Sequence, residues 1–253
     1  MAKSYRPANE TERAFIKAFD ALCYRHNPWT VWTDFINMSA CAISNAVDRD
    51  PTQWANREKA YMATVKKYSR EECQRFTEMM AFVIQALEEN PAQDFLGNLY
   101  MNLNFGSNWA GQFFTPWHVA EMMAQMNMGP GLRQEIASKG FISVSDPCCG
   151  AGCMLLAFAH ACRTSPFVDN YQNQVLFVAQ DLDRVVALMC YIQLSLLGCP
   201  GYVVVGNTLT HPVTGTSLRP IVQEGTEIWF TPMWFTTPWT TRVVLEQLDE
   251  LFG

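Results

Sequence analysis

Apolar residues recur every three or four positions through the first third of the chain and gather into short, nearly continuous runs in the second half. The first pattern is that of amphipathic helices, the second that of buried strands alternating with helices. A helix is predicted from Asn9 to His26. It opens with an Asn-x-x-Glu cap and carries Phe15, Ile16, Phe19, Leu22 and Cys23 on one face. A second helix is expected over Pro28–Val47, with Trp32, Phe35, Ile36 and Ile43. Asp50-Pro51 begins a third, with Trp54, Tyr61, Val65 and Tyr68. Ser69-x-x-Glu72 forms a capping box for a fourth, which carries Cys73, Phe76, Met80, Val83, Ile84 and Leu87. Pro91 begins a short fifth.

Thr115-Pro116 then reads as a helix start, with Thr115 as N-cap and Pro116 in the first turn. The stripe Val119, Met122, Met123, Met126 follows at helical spacing and is expected to face the core. Phe141–Ser145, Val175–Gln180, Gly201–Val205 and Glu227–Phe230 are strand-like runs. Between them lie a helix from Met154 and another from Arg184 to Leu197, closed by Gly198 as a C-terminal glycine. A last helix, Arg242–Phe252, places Val243, Val244, Leu248 and Leu251 at helical spacing. Strands alternating with helices predict an α/β fold.

The turn after the first strand reads Asp146-Pro-Cys-Cys-Gly150-Ala151-Gly152-Cys153. Glycines there permit positive φ and close backbone approach, and the next helix offers free N–H groups to a ligand. A dinucleotide loop would have a third glycine where Leu155 stands, and an acid about 20 residues on. The next strand-terminal acid is Asp181, 31 residues beyond Gly150. A phosphate-binding loop would need a Lys after the glycines, and none is present. A plain turn is the bland alternative.

The loop resembles motif I of S-adenosylmethionine-dependent methyltransferases. Upstream, Gly111-Gln112-Phe113-Phe114-Thr115-Pro116 is similar to motif X of gamma-class DNA N6-adenine methyltransferases, of which type I restriction–modification modification subunits are the nearest relatives in pattern. Downstream, Gly206-Asn207-Thr208-Leu209 resembles that family's Gly-Asp-Thr-Leu, with Asn207 in place of the usual acid. The resemblance implies a Rossmann-like class I methyltransferase sheet, truncated here, over residues 105–253, preceded by a helical domain over 1–104. It also implies S-adenosylmethionine as cofactor, held by Gln112, Phe113, Phe114, Thr115, Pro116, Asp146, Gly150, Ala151, Gly152, Cys153, Asp181 and Asn207. Asp181 would accept the ribose hydroxyls, and Asn207 would meet the adenine amino group.

The same family carries Asn/Asp-Pro-Pro-Tyr/Phe after its fourth strand, where the first residue positions the target adenine and the aromatic stacks on the flipped base. That tetrapeptide is missing. The matching place is Thr231-Pro232-Met233-Trp234. By the resemblance, Thr231, Pro232 and Trp234 are the catalytic candidates. A Thr hydroxyl reaches less far than a carboxamide, and losing one positioned donor or acceptor costs about 10²–10³ in rate. Two functions therefore stand side by side. One is a DNA adenine-N6 methyltransferase; the other is an inactive cofactor-binding subunit or sensor working through partner proteins. A small-molecule methyltransferase is a third, against which the Gly-Gln-Phe-Phe-Thr-Pro box speaks. The aromatic run Trp229, Phe230, Trp234, Phe235, Trp239 either packs the sheet edge or seeks a partner.

Charge alters this picture little. The chain of 253 residues has a net charge of −6, which gives no support to DNA binding by itself. Residues 1–110 hold 12 basic and 13 acidic side chains, and residues 111–253 hold 6 and 11. A basic face around Arg57, Lys59, Lys66, Lys67, Arg70 and Arg75 competes with a simple solvated helix surface, since Glu58, Glu71 and Glu72 are interleaved. DNA, partner subunits or self-association are the expected partners. The start of the chain has no apolar signal core, and no stretch is long enough to span a membrane. Nine cysteines without a C-x-x-C pair, and four scattered histidines, predict reduced thiols in a cytoplasmic protein and no metal site.

Overall fold

Each of the first five helices begins at a side chain that satisfies its free N–H groups. In a computed structural model describing residues 7–105 and 114–252, Asn9 Oδ1 accepts the Glu12 amide at 2.8 Å at the start of α1 (Glu10–Cys23). Asn27 caps α2 (Pro28–Val47), and Asp50 accepts the Gln53 amide at 2.8 Å for α3 (Pro51–Val65). Ser69 and Glu72 form both arms of the capping box of α4 (Arg70–Glu89). The short fifth helix, α5, runs Phe95–Asn102 rather than from Pro91. Asp94, whose carboxylate accepts the Gly97 amide at 2.9 Å, sets its start.

The chain divides into two compact units, residues 1–114 and 115–253. In the first, Phe15 is fully buried and meets Trp32, Phe35 and Phe95 edge-on, with centroids 5.6–6.2 Å apart. Such pairs add about 0.5–1.5 kcal/mol each beyond area burial. Helix α3 packs poorly. It buries only Arg57 and Thr64, and the expected core residue Trp54 is exposed. Arg57 forms a buried ion pair with Asp48 at 2.7 Å, and Lys67 reaches the buried Asp34 at 3.1 Å. These two cations serve the fold and are removed from the expected basic face.

The second unit begins with α6 (Trp117–Met126) and α7 (Pro130–Lys139). Pro116, with ψ of 139°, is itself the N-cap of α6, and no side chain caps it. The expected Thr115 cap is thus corrected, since the fixed ring of Pro116 holds the extended cap conformation. The Met stripe is also corrected. Ala120 and Ala124 are the buried positions, whereas Met122, Met123 and Met126 face solvent.

Three parallel strands follow, β1 (Ile142–Asp146), β2 (Val175–Asp181) and β3 (Gly201–Val205). They are linked by α8 (Cys153–Thr164), the single turn α9 (Tyr171–Gln174) and α10 (Arg184–Leu196). Sheet order is β1-β2-β3-β6, and β6 (Glu227–Phe230) runs antiparallel to β3, pairing Phe230 with Tyr202 and Glu227 with Val205. A small hairpin, β4 (Thr214–Gly215) with β5 (Pro220–Ile221), lies between. The fold is therefore mixed α/β, as expected.

Helices α8 and α10 pack against one face of the sheet. On the other, Leu176, Tyr202 and Val204 join Leu218, Trp234 and Trp239 in an apolar cluster. Side chains alternate faces along each strand, so both sides of the central strands are apolar. Gly201 has φ of +153°, and a Cβ there would lie 1.8 Å from the Phe177 carbonyl oxygen, so only glycine lets β3 begin beside β2. The chain closes with a 3-10 turn, Pro232–Phe235, and α11 (Thr237–Phe252). Trp229, Trp234 and Trp239 are buried, so these rings pack the sheet rather than form an open patch.

Candidate functional site

Parallel strands end together, and the segments leaving them converge at one edge of the sheet. Asp146 ends β1, Asp181 ends β2, and Gly206-Asn207 follows β3. The β1 loop is held to this edge by main-chain bonds. The Cys149 amide donates to the Gln180 carbonyl at 3.0 Å, and the Gly150 amide donates to Asp181 Oδ2 at 2.8 Å. Asp181 Oδ1 accepts the Asp183 amide at 2.9 Å. Asp181 therefore fixes the start of α10 and the glycine turn at once, and each oxygen keeps a further lone pair for a ligand.

Gly150 and Gly152 both have positive φ, +53° and +99°. A Cβ at Gly152 would lie 2.8 Å from Cys190 Sγ on α10, so this glycine also lets the loop pack closely. Gly152 is the N-cap of α8 and no side chain caps that helix, which leaves its first N–H groups for other acceptors. Ala151 and Cys153 are buried. They hold the loop's path: the Ala151 carbonyl accepts from Gln193 Nε2 at 3.0 Å, and Cys153 Sγ donates to the Thr115 carbonyl at 3.2 Å. The last contact brings Thr115 beside the loop.

Asp146 is partly buried and accepts the Cys148 amide at 3.1 Å. Burial raises its pKa above the ordinary carboxylate value, the Cys148 amide opposes this, and the nearby Asp181 charge adds to it. No Lys or Arg stands in 146–152, 181–183 or 206–209. The edge is thus acidic and short of counter-charge. Cys149, beneath the loop, is a thiol whose pKa is pushed up by a hydrogen bond with Cys190 and by burial.

Gln112 and Phe113 lie outside the described residues. Phe114 stacks on Tyr100 with ring centroids 5.5 Å apart. Asn207 turns its Oδ1 to the amides of Leu209 and Thr210, at 2.9 and 3.3 Å, and so caps its own turn.

The catalytic candidates Thr231, Pro232 and Trp234 lie away from this edge. Because β6 is antiparallel, it delivers Thr231 to the beginning of β3, at the opposite end of the strands from Asp146 and Asp181. Thr231 is fully buried; its hydroxyl accepts the Gly201 amide at 3.0 Å and donates to the Cys199 carbonyl at 2.7 Å. Pro232 opens the 3-10 turn, and Trp234 is buried against Tyr202 and Phe230. None of the three faces the glycine loop.

Sequence reading missed several residues that build the site. Gln180 binds the Gly206 and His211 carbonyls at 3.2 and 2.9 Å, Gln193 binds Ala151, and the Thr208 hydroxyl donates to the Pro147 carbonyl. A buried amide inside an apolar strand or helix was the available signal, since such a group requires partners. Leu182 is 69 % exposed between Asp181 and Asp183 and offers an apolar surface at the same edge.

Among the described residues no group of three or more His, Cys, Asp or Glu is placed to hold a metal ion, and no helix is long and apolar enough to cross a membrane. No curated protein and no solved structure matches the chain. A family model described as N-6 DNA methylase matches residues 92–240, from just before α5 into α11. That span covers more than half of the chain, and the protein belongs to the N-6 DNA methylase family.

Proposed function

We propose that the chain binds S-adenosylmethionine at the carboxyl ends of β1, β2 and β3, in a Rossmann-like arrangement, and serves DNA adenine-N6 methylation as a cofactor-holding module. The observation that carries this reading is the bond from the Gly150 amide to Asp181, which joins the glycine turn to the strand-terminal acid in one rigid edge. The donor set suits the cofactor. Asp181 has lone pairs for ribose hydroxyls, and Leu182 offers an apolar surface for a purine. Asp146, partly buried and with no Lys or Arg in the segments that form this edge, favours an ammonium or sulfonium. The uncapped start of α8 suits a carboxylate. When bound, S-adenosylmethionine supplies an electrophilic methyl group.

Gln112, Phe113, Phe114, Thr115 and Pro116 would close over the cofactor by the motif X resemblance, and Asn207 would approach its adenine. The gamma class, kinship with type I modification subunits and a cytoplasmic setting belong to the same reading, as do DNA and partner subunits. The placement of Thr231 favours the module over a complete enzyme, because no group of the missing tetrapeptide stands at the cofactor edge. An active adenine methyltransferase is the second reading, favoured by a family match that runs through β6. Calorimetry with S-adenosylmethionine tests binding, and transfer of a labelled methyl to unmethylated DNA tests chemistry. Binding without transfer supports the module. Transfer by the purified chain supports the enzyme. Absence of binding overturns both.

A further inference from the structure

Helix α11 is amphipathic the wrong way round. Its inward face reads Trp239, Arg242, Val243, Glu246, Glu250, a helical spacing of three, one, three and four. Trp239 is fully buried, and Val243 packs against the sheet's apolar cluster. Arg242 donates to the carbonyls of Asn173 and Gly140 at 2.7 and 2.9 Å and lies over the Trp239 ring. Glu246 accepts from the Thr216 hydroxyl at 2.8 Å, and Glu250 pairs with Arg219. The helix is thus anchored to its own unit by Trp239 and Val243 together with several polar groups.

The outward face carries Val244, Leu245, Leu248, Leu251 and Phe252, which are 43–85 % exposed. At 100° per residue these five side chains form one stripe about 120° wide, the width by which a surface helix usually meets a core. Of the four apolar residues noted at helical spacing, Val243, Val244, Leu248 and Leu251, only Val243 turns inward. A contiguous apolar stripe of this kind marks a contact surface.

We infer that this stripe is the dimer contact between two copies of the chain, α11 against α11. Two features favour a second copy. First, Thr241 lies within the stripe and its borders are Thr240, Gln247 and Asp249, so Asp249 is the one charge beside the seam. Glu246 and Glu250 point at their own domain, and two chains of net charge −6 can meet here with little like-charge contact. A stripe without charge selects no oppositely charged partner and is complementary to itself. Second, the area is sufficient. Five half- to mostly exposed side chains present on the order of 500 Å² of apolar surface. Pairing two copies buries on the order of 1,000 Å², the lower limit for a specific interface. A weak, reversible dimer follows, independent of the cofactor reading.

Sedimentation velocity of the full chain tests this, at concentrations up to about 100 µM. The expected result is a monomer–dimer equilibrium that Leu248→Glu abolishes, with an unchanged circular dichroism spectrum and, at concentrations where both proteins are monomeric, an unchanged melting temperature, because Leu248 belongs to the exposed stripe. Leu248→Lys is expected to be monomeric as well, and mixing the Glu and Lys variants is expected to restore the dimer. A wild-type chain that stays monomeric throughout, or a dimer that survives Leu248→Glu, overturns the inference.

Discussion

The amide of Gly150 donates to the carboxylate of Asp181 across 31 residues of sequence, at 2.8 Å. One hydrogen bond thereby sets the distance between the glycine turn and the acid that ends β2. The predictions for the cofactor edge start from it.

Asp181→Ala is expected to weaken S-adenosylmethionine binding about 10–100-fold, the loss of one charged hydrogen bond worth about 1.5–3 kcal/mol. The freed Gly150 and Asp183 amides also loosen the loop and the start of α10. Titration calorimetry reads this directly; equal affinities in wild type and variant would remove Asp181 from the site.

Asp146→Asn is expected to raise the melting temperature at neutral pH while lowering cofactor affinity. Burial, chiefly, raises the folded pKa of Asp146 above 3.8. A raised acid destabilises the ionised folded state, so the penalty is full at neutral pH and vanishes as pH falls through the folded pKa to below 3.8. The gap in melting temperature between the two proteins should therefore close on acidification. Melting curves from pH 7 downward check the sign, and a variant less stable at neutral pH would refute it.

Thr231→Val should destabilise the fold by about 2–3 kcal/mol, since it leaves the buried Gly201 amide without its acceptor. Cofactor affinity should not change, because Thr231 lies at the far end of the strands. Thr231→Asn, which restores the family's residue type, should produce no methyl transfer. Urea titration, calorimetry and labelled-methyl counting separate these outcomes.

Glu72→Ala should cost about 0.5–1 kcal/mol through loss of one arm of the α4 capping box. The Ser69 amide and then His26 hold the Glu72 pKa down at about 2. Its contribution is present above pH 4.5 and is lost as pH falls toward about 2. Unfolding of wild type and variant at pH 7 and pH 3 measures the change; a gap that widens at low pH would contradict it.

Capping residues and strand runs were legible because each acts locally. Asn9-x-x-Glu12, Asp50-Pro51 and Ser69-x-x-Glu72 set helix starts without help from distant residues. So did the three apolar runs that became β1, β2 and β3, and the acids at the ends of two of them. Direction and coverage were not legible. Glu227–Phe230 has the same apolar pattern whether it runs parallel or antiparallel, and only the partner edge decides where Thr231 arrives. The periodicity of the α6 methionines and of α11 identifies a stripe but not whether anything covers it. The use of Asn207 Oδ1 as a cap for its own turn was not legible either.

β1 ends the sheet, with β2 on one side and no described strand on the other. The strand that carries Asp146 is thus tethered along a single margin, while β2 is clasped along both. Local opening should start there, and deuterium should replace the outward-pointing amide protons of β1 well before those of β2. An occupied cofactor edge, gripping Asp146 at the tip of that strand, would slow the exchange and make a spectator of peptide chemistry into a gauge of ligand residence.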